Sequence, residues 1–206
     1  MKLKRNPYWN KFYSKFSFSK ESNFAKFCIK FFKKNSCLLD VGCGNGRDTF
    51  FFIKNGIKCK GIDISKTAIK NNSKRLKNTF EVKDACSNQS KNQKKYDYIY
   101  CRFFLHTINQ KSEKNFLRNV KKIMNKKSRL FLEFRTIKDP MMNNGKKISY
   151  NEVISDHYRR FIDVEHFMKI SQENGFKIDF KASSYNFAKF KTERPHICRM
   201  ILRKSI

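Results

Sequence analysis

Residues 38–48 read Leu38-Leu39-Asp40-Val41-Gly42-Cys43-Gly44-Asn45-Gly46-Arg47-Asp48, a short apolar run that closes in an acid and three alternating glycines. The pattern predicts a buried strand running into a tight turn, then a helix over Asp48–Asn55 stopped by Asn55-Gly56. A glycine-rich turn between a first strand and a first helix is where α/β folds receive adenosine-containing ligands. Spacing narrows the ligand. The dinucleotide fingerprint G-x-G-x-x-G, counted from Gly42, needs a third glycine at position 47, which is Arg47. A nicotinamide-dependent oxidoreductase is disfavoured on that ground.

Outward from this turn the chain alternates. Ser22–Lys34 places Phe24, Phe27, Cys28, Phe31 and Phe32 at helical spacing. IKCKGIDIS (57–65) reads as a second strand, and Thr67–Lys77 as a Lys-rich helix capped by Ser65. TFEVKDA (79–85) and YDYIYCRFFL (96–105) are the third and fourth strands. Ser112–Met124 carries Phe116, Leu117, Val120 and Ile123 on one face, with Ser112 as its expected cap, and RLFLEFR (129–135) is the fifth strand. The connection 137–162, with Pro140 and Gly145, is longer than a fold requires, and such loops are often functional. A helix over Asp163–Glu173 precedes two final strands, FKIDFKASSYNF (176–187) and HICRMILRK (196–204). Their link is too short for a parallel crossover, so they pair antiparallel. The expected fold class is α/β: a single Rossmann-like, doubly wound sheet of five parallel strands plus a C-terminal antiparallel hairpin, with helices on both faces. The expected organisation is an N-terminal lid and helix (1–35) and one domain (36–206) with a substrate-binding insertion at 137–162.

Composition sets outer bounds. The 206 residues suffice for one core without disulfide staples. Seven Cys, an odd number without a C-x-x-C, read as reduced thiols in a cytoplasmic protein and offer no metal site. No apolar run is long enough for a membrane span, and the start lacks the apolar core of a signal peptide. Lys and Arg number 47 against 17 Asp and Glu, a net charge of +30. The excess is mostly Lys and is spread along the whole chain, which reads as compositional drift more than as a nucleic-acid stripe. In either case the field attracts anions.

The string Asp40-x-Gly42-x-Gly44-x-Gly46 resembles the first motif of class I S-adenosylmethionine-dependent methyltransferases. The resemblance spans about Ser36 to Lys204 and implies S-adenosyl-L-methionine as cofactor. That ligand ends in an ammonium and a carboxylate, so an acid near the turn is welcome, and the glycines allow close backbone approach. Asp63 ends the second strand 17 residues after Gly46, as expected of a carboxylate that grips two ribose hydroxyls, with Ile64 against the adenine. The resemblance assigns Asp84 to the adenine amine with the Ala85 backbone nearby, and brings Arg102 and Phe103 past the methionine end. Asp40, Gly42, Cys43, Gly44, Gly46 and Arg47 complete the implied cofactor site. Alternatively, each acid is only a turn former.

Four further strings are similar to a narrower bacterial group of small-molecule methyltransferases, of the tellurite-resistance, thiopurine and surface-polysaccharide-linked kinds. These are Gly44-Asn45-Gly46-Arg47-Asp48, Arg102-Phe103-Phe104-Leu105-His106, Glu133-Phe134-Arg135-Thr136-Ile137-Lys138-Asp139 and His157-Tyr158-Arg159-Arg160-Phe161. That resemblance implies an aromatic N-terminal lid (Tyr8, Trp9, Phe12, Tyr13), with the acceptor held between it and the insertion. Trp9, Tyr13, Arg135, Tyr158, Arg159 and Arg160 are then the candidate acceptor contacts. The arginines as a group point to an anionic or phosphate-bearing small molecule, such as a surface-polysaccharide precursor; individually each can pair with Glu133, Asp139 or Asp156 instead. Where the acceptor must lose a proton, His157 is the first candidate base and His106 the second, each with a structural alternative. His166 and His196 read as structural.

Two rival functions follow from the same residues. A nucleic-acid methyltransferase is suggested by the charge, but the Asn/Asp-Pro-Pro-aromatic turn of base-amine enzymes and the Pro-Cys of cytosine enzymes are missing after the fourth strand. A non-catalytic binding protein would keep the fold, yet the intact glycines, Asp63 and Asp84 argue against it. Oligomeric state leaves no trace in the sequence.

Overall fold

The strand predicted from residues 37–44 forms as β1 (Cys37–Val41), flanked in parallel by β2 (Lys58–Asp63) and β4 (Tyr96–Arg102). β3 (Phe80–Val82) extends the sheet beyond β2, and β5 (Met124–Arg135) beyond β4, both in parallel. β9 (Phe176–Ser184) and β10 (Ile197–Lys204) complete it, with β10 antiparallel to both β5 and β9. The spatial order is β3-β2-β1-β4-β5-β10-β9, the expected five parallel strands plus hairpin. The computed structural model describes residues 5–15, 20–88, 94–190 and 192–205.

Strand alternation decides which helix covers which face. Leu38, Tyr100, Phe131 and Ile201 bury one face under α2 (Asn23–Cys28) and α3 (Arg47–Lys54), through Phe24, Cys28 and Phe52. Leu39, Ile99, Leu130 and Leu132 bury the other under α5 (Gln110–Ile123) and α6 (Val164–Glu173), through Phe116, Leu117, Phe167 and Ile170. α4 (Lys66–Arg75) covers the β3 edge, where Ile69 meets Phe80 and Cys43. Its N-cap is Ser65, as expected, accepting from Ala68 N.

Three local expectations are corrected. The helix expected over Ser22–Lys34 keeps α-form only to Cys28 and tightens into a 3-10 turn at Ile29–Phe31; Phe31 and Phe32 then both reach Phe131, at 5.8 and 5.0 Å between ring centroids. The cap of α5 is Asn109, not Ser112: the Asn109 side chain accepts from Ser112 N at 2.9 Å. The insertion is not an irregular connection. It holds a 3-10 turn (Pro140–Asn143) and a small antiparallel sheet of β6 (Lys146–Lys147), β7 (Glu152–Ile154) and β8 (Tyr158–Arg160). Strands of two and three residues are too short to show an alternation in sequence.

Asn109→Ala removes that cap and is expected to cost about 1 kcal/mol, against a few tenths for Ser112→Ala. Urea denaturation of the two variants checks this; equal losses would restore Ser112 as the cap.

Candidate functional site

The carboxyl ends of β1, β2, β4 and β5 open into one cavity of about 940 Å³, near the upper end of the ~300–1,000 Å³ typical of ligand sites. At its floor the glycine turn is stapled to β2: Gly42 N and Cys43 N both donate to Ile62 O, at 2.9 and 3.1 Å. Gly44 stands at φ +53, and an added Cβ there would collide with the Tyr13 hydroxyl. Gly44 N donates to Asp63 Oδ2 (2.9 Å) and Ser65 N to Asp63 Oδ1 (2.8 Å). Asp63 is buried, and burial raises its pKa against the pull of these amides.

Asp40 faces α3 and accepts from Thr49 Oγ1 at 2.6 Å. Burial pushes its pKa up to about 8, against the Thr49 hydrogen bond and with help from the Asp48 and Asp63 charges. Asp48 is a buried hub for Ser22 N, Ser22 Oγ and Tyr100 Oη, all within 2.8 Å. From the end of β4, Arg102 donates to Glu133 Oε1 (2.8 Å), while Glu133 Oε2 accepts from Arg199 (2.7 Å). Glu133 is thus shared by two cations, and the Arg102 guanidinium lies 4.1 Å over the Phe103 ring.

α1 (Arg5–Lys15) roofs the cavity. Its aromatics Tyr8, Trp9, Phe12 and Tyr13 recur at helical spacing, a signal that could have identified the helix from the sequence. Asn10 Oδ1 accepts from Ser65 Oγ (2.9 Å) and Thr67 N (3.2 Å), which ties α1 to the start of α4. On the far side Tyr8 donates to Asp156 Oδ2 at 2.7 Å, in the turn between β7 and β8. Asp156 also accepts from Arg159 at 2.6 Å. Burial alone would raise its pKa, but hydrogen bonds from Arg159, Tyr8 and Ser155 outweigh that and hold it well below the usual range.

His157 packs against Tyr8 and Trp9, with centroids 4.4 and 5.2 Å away. Its Nδ1 lies 3.1 Å from Asp156 Oδ2 but is not aligned for a hydrogen bond. Burial and then the Arg159 charge lower its pKa to about 4. His106 is 5% exposed, edge-on to Phe103, and its Nδ1 has no partner among the described residues. Burial, then Arg135, Arg159 and other cationic neighbours, hold it well below the ordinary histidine value.

Of the expected site residues, Asp40, Gly42, Cys43, Arg47, Asp63, Ile64, Ala85, Arg102, Phe103, Trp9, Tyr13, Arg135, Arg159, His106 and His157 line this cavity. Gly44 lies beneath Tyr13. Gly46 caps α3, with its Cα turned toward Phe50 and Phe80. Asp84 Oδ1 accepts from Cys86 N, and its neighbours Lys83 and Ala85 supply the wall. Tyr158 and Arg160 are not brought to the cavity. Tyr158 donates to Glu152, and Arg160 turns inward to Glu113 and to Ile108 O (3.1 Å), because a buried guanidinium must be paired. Arg135 is also committed, with both Asp139 oxygens at 3.1 Å and Glu193 at 3.2 Å. Sequence reasoning missed the segment Phe187–Phe190, which forms part of the wall without belonging to any motif.

Acids and bases in the wall are equal in number, and protonation of Asp40, whose pKa is pushed up to about 8, leaves a small positive excess near pH 7. Among the described residues the wall holds seven acids, Glu21, Asp40, Asp48, Asp63, Glu133, Asp156 and Glu193, and seven bases, Lys20, Arg47, Lys83, Arg102, Arg135, Arg159 and Lys189. No group of His, Cys, Asp and Glu suited to a metal occurs among the described residues.

A glycine turn pinned by an acid at the end of β2, on a 3-2-1-4-5 parallel sheet closed by an antiparallel hairpin, defines a class I methyltransferase architecture. The family model described as "Methyltransferase domain" matches residues 10–179, and the chain belongs to that family. It is an S-adenosylmethionine-dependent methyltransferase. A search of the curated proteins finds no match. Among solved structures, a TehB-like S-adenosylmethionine-dependent methyltransferase from Corynebacterium glutamicum is similar at TM-score 0.68 and 14% identity, over 89% of this chain and 88% of that one. An S-adenosylmethionine-dependent methyltransferase from Methanosarcina mazei reaches TM-score 0.75 at 16% identity, over 87% and 97%. The 1,6-didemethyltoxoflavin-N1-methyltransferase of Burkholderia thailandensis reaches 0.67 at 12%, over 89% and 77%. No helix among the described residues is long and apolar enough to cross a membrane.

The lowered pKa of His157 makes a stability prediction. Between about pH 6.5 and 4 the unfolded chain takes up a proton that the folded His157 refuses, so its burial destabilises the fold as pH falls through that window. His157→Gln is expected to lessen the drop in urea midpoint from pH 7.5 to pH 4.5; an unchanged drop would contradict the shift.

Proposed function

We propose that this enzyme moves a methyl group from S-adenosylmethionine to a small-molecule acceptor held beneath α1, in the cytoplasm. The observation that carries the reading is the Asp63 carboxylate, fixed at both oxygens by amides of the glycine turn and α4. The Ile64 amide also bears on this carboxylate, and its remaining acceptor capacity suits ribose hydroxyls. The donor set fits the rest of the cofactor. Ile64 and Ala85 offer an apolar adenine wall. Arg102, anchored through Nε among the described residues, retains terminal N–H groups for a carboxylate, and Asp40 on the same wall, its pKa pushed up to about 8, would be drawn to its ionised form by an ammonium beside it.

When bound, the cofactor supplies an electrophilic methyl on a sulfonium. The chain's task is to hold the acceptor in line with that methyl and to exclude water. α1 serves as the lid, strapped between α4 and the insertion. Tyr13 lies over Gly44, so α1 must shift outward as the cofactor enters. His157 and His106 stand at the acceptor end, where a neutral imidazole can take a proton from a hydroxyl or amine. An anionic or phosphate-bearing acceptor loses its main support here, because Arg135, Arg159 and Arg160 are each paired with a carboxylate. The interspersed acids of the wall likewise give no support to a nucleic-acid substrate.

Asp63→Ala is expected to weaken S-adenosylmethionine binding at least tenfold in calorimetry, with the native circular dichroism spectrum retained. Unchanged affinity in a folded variant would remove Asp63 from the cofactor site.

A further inference from the structure

We propose that Arg199 of β10 is a positioning residue for the cofactor. By drawing one oxygen of Glu133 to itself it limits Arg102 to a single bond with that acid, and so keeps both terminal nitrogens of Arg102 for the cofactor carboxylate. The inference rests on the methyltransferase reading, in which Arg102 meets that carboxylate, and adds what sets its pose.

Strand register brings the three side chains together. Glu133 is the direct partner of Arg102 across the parallel β4–β5 pair and of Arg199 across the antiparallel β5–β10 pair. Direct partners on neighbouring strands share a face of the sheet, so the three form one row. It lies on the face that α2 covers, where the Arg199 guanidinium stands 5.3 Å over the Phe24 ring. Arg102 and Glu133 reach the cavity wall, and Arg199 is buried beyond Glu133 in the row.

Within the row the carboxylate is divided. Arg102 donates through Nε to Oε1 at 2.8 Å, and Arg199 donates through Nε to Oε2 at 2.7 Å. A carboxylate that meets a lone guanidinium is frequently taken by two parallel N–H bonds. Here β4 and β10 flank β5 on opposite sides, so Oε2 is drawn away from Arg102 and the second bond is not made. Arg199 is itself held against turning: its Nη2 donates to Phe187 O at 3.2 Å, and it lies 4.3 Å over the Phe187 ring.

Charge supplies an independent reason. Arg102 alone would neutralise Glu133, and burying a second cation without an anion is costly. Arg102 also feels Asp48, but Arg47 stands 3.8 Å from that acid. Arg47, Arg102 and Arg199 thus face Glu133 and Asp48, one negative charge short. Asp40, the other acid on which Arg102 acts, is kept largely protonated near pH 7 by burial. A ligand carboxylate at Arg102 supplies the missing charge.

Two ligands separate this role from a merely structural one: S-adenosylhomocysteine and its decarboxylated analogue, 5′-(3-aminopropylthio)-5′-deoxyadenosine, which keeps the ammonium and lacks the carboxylate. In calorimetry the parent protein is expected to bind S-adenosylhomocysteine at least tenfold more tightly than the analogue. Arg199→Met should weaken S-adenosylhomocysteine at least fivefold and leave the analogue within twofold, with the native circular dichroism spectrum retained. Should that variant fail to fold, Arg199→Lys is read in its place. Its ammonium cannot span Glu133 and Phe187 O as the guanidinium does, so S-adenosylhomocysteine should weaken at least threefold and the analogue stay within twofold. Equal weakening of both ligands, unchanged S-adenosylhomocysteine affinity, or a parent protein that binds the two ligands equally overturns the proposal. Absence of binding by either ligand to the parent protein would instead overturn the methyltransferase reading beneath it.

Discussion

The Asp63 carboxylate at the end of β2 accepts one amide from the glycine turn after β1 and another from the start of α4. Three elements distant in sequence are therefore registered by one buried acid. Because the acid is withheld from water, its amide bonds are stronger and less replaceable than surface ones. The turn they hold is left-handed at Gly42, Gly44 and Gly46. Once that turn is fixed, the cavity floor follows from strand register: Asp40 lies on the α3 face because Leu38 does, two residues before it.

The roof depends on a second acid. Asp156 in the insertion receives Tyr8 from α1 and Arg159 from β8, and it lies beside His157. α1 is tied at the opposite edge through Asn10 to Ser65 and Thr67. Ser65 caps α4 and also donates its own N–H to Asp63, so α1 and the cavity floor share a joint. Movement of α1 must therefore be felt at Asp63. Partial exposure of Asp156 makes its bonds the weaker pair, and opening is expected to begin on the insertion side.

Much of this was legible in residue order. The alternation of apolar runs, the acid-glycine turn and the acid ending β2 led to the sheet and to the floor of the cavity, since each is a local pattern with a local cause. What was not legible is decided by the fold. Arg135 and Arg159 take the near acids Asp139 and Asp156, 4 and 3 residues away, that residue order offered only as an alternative, whereas Arg160 takes Glu113, 47 residues away. Arg160 is opposite in role to Arg159 because neighbours on a strand face opposite sides. The minute strands of the insertion gave no period, and the wall segment Phe187–Phe190 is positioned by Arg199, which donates to Phe187 O at 3.2 Å. The α5 cap failed for a different reason: Asn109 and Ser112 are both good caps, and a shift of three residues is invisible to propensity.

The excess of lysine explains why net charge is a poor guide to this molecule. On the surface an added Lys stays solvated and is screened by salt, so a drift toward +30 costs little in stability. Inside the cavity an unmatched charge costs several kcal/mol in lost hydration. The two environments therefore filter the same composition differently: cations accumulate outside, while within the wall each buried guanidinium of the Arg102–Glu133–Arg199 group, and each of Arg135 and Arg159, acquires a carboxylate. Local pairing, not global charge, is therefore what these buried side chains report.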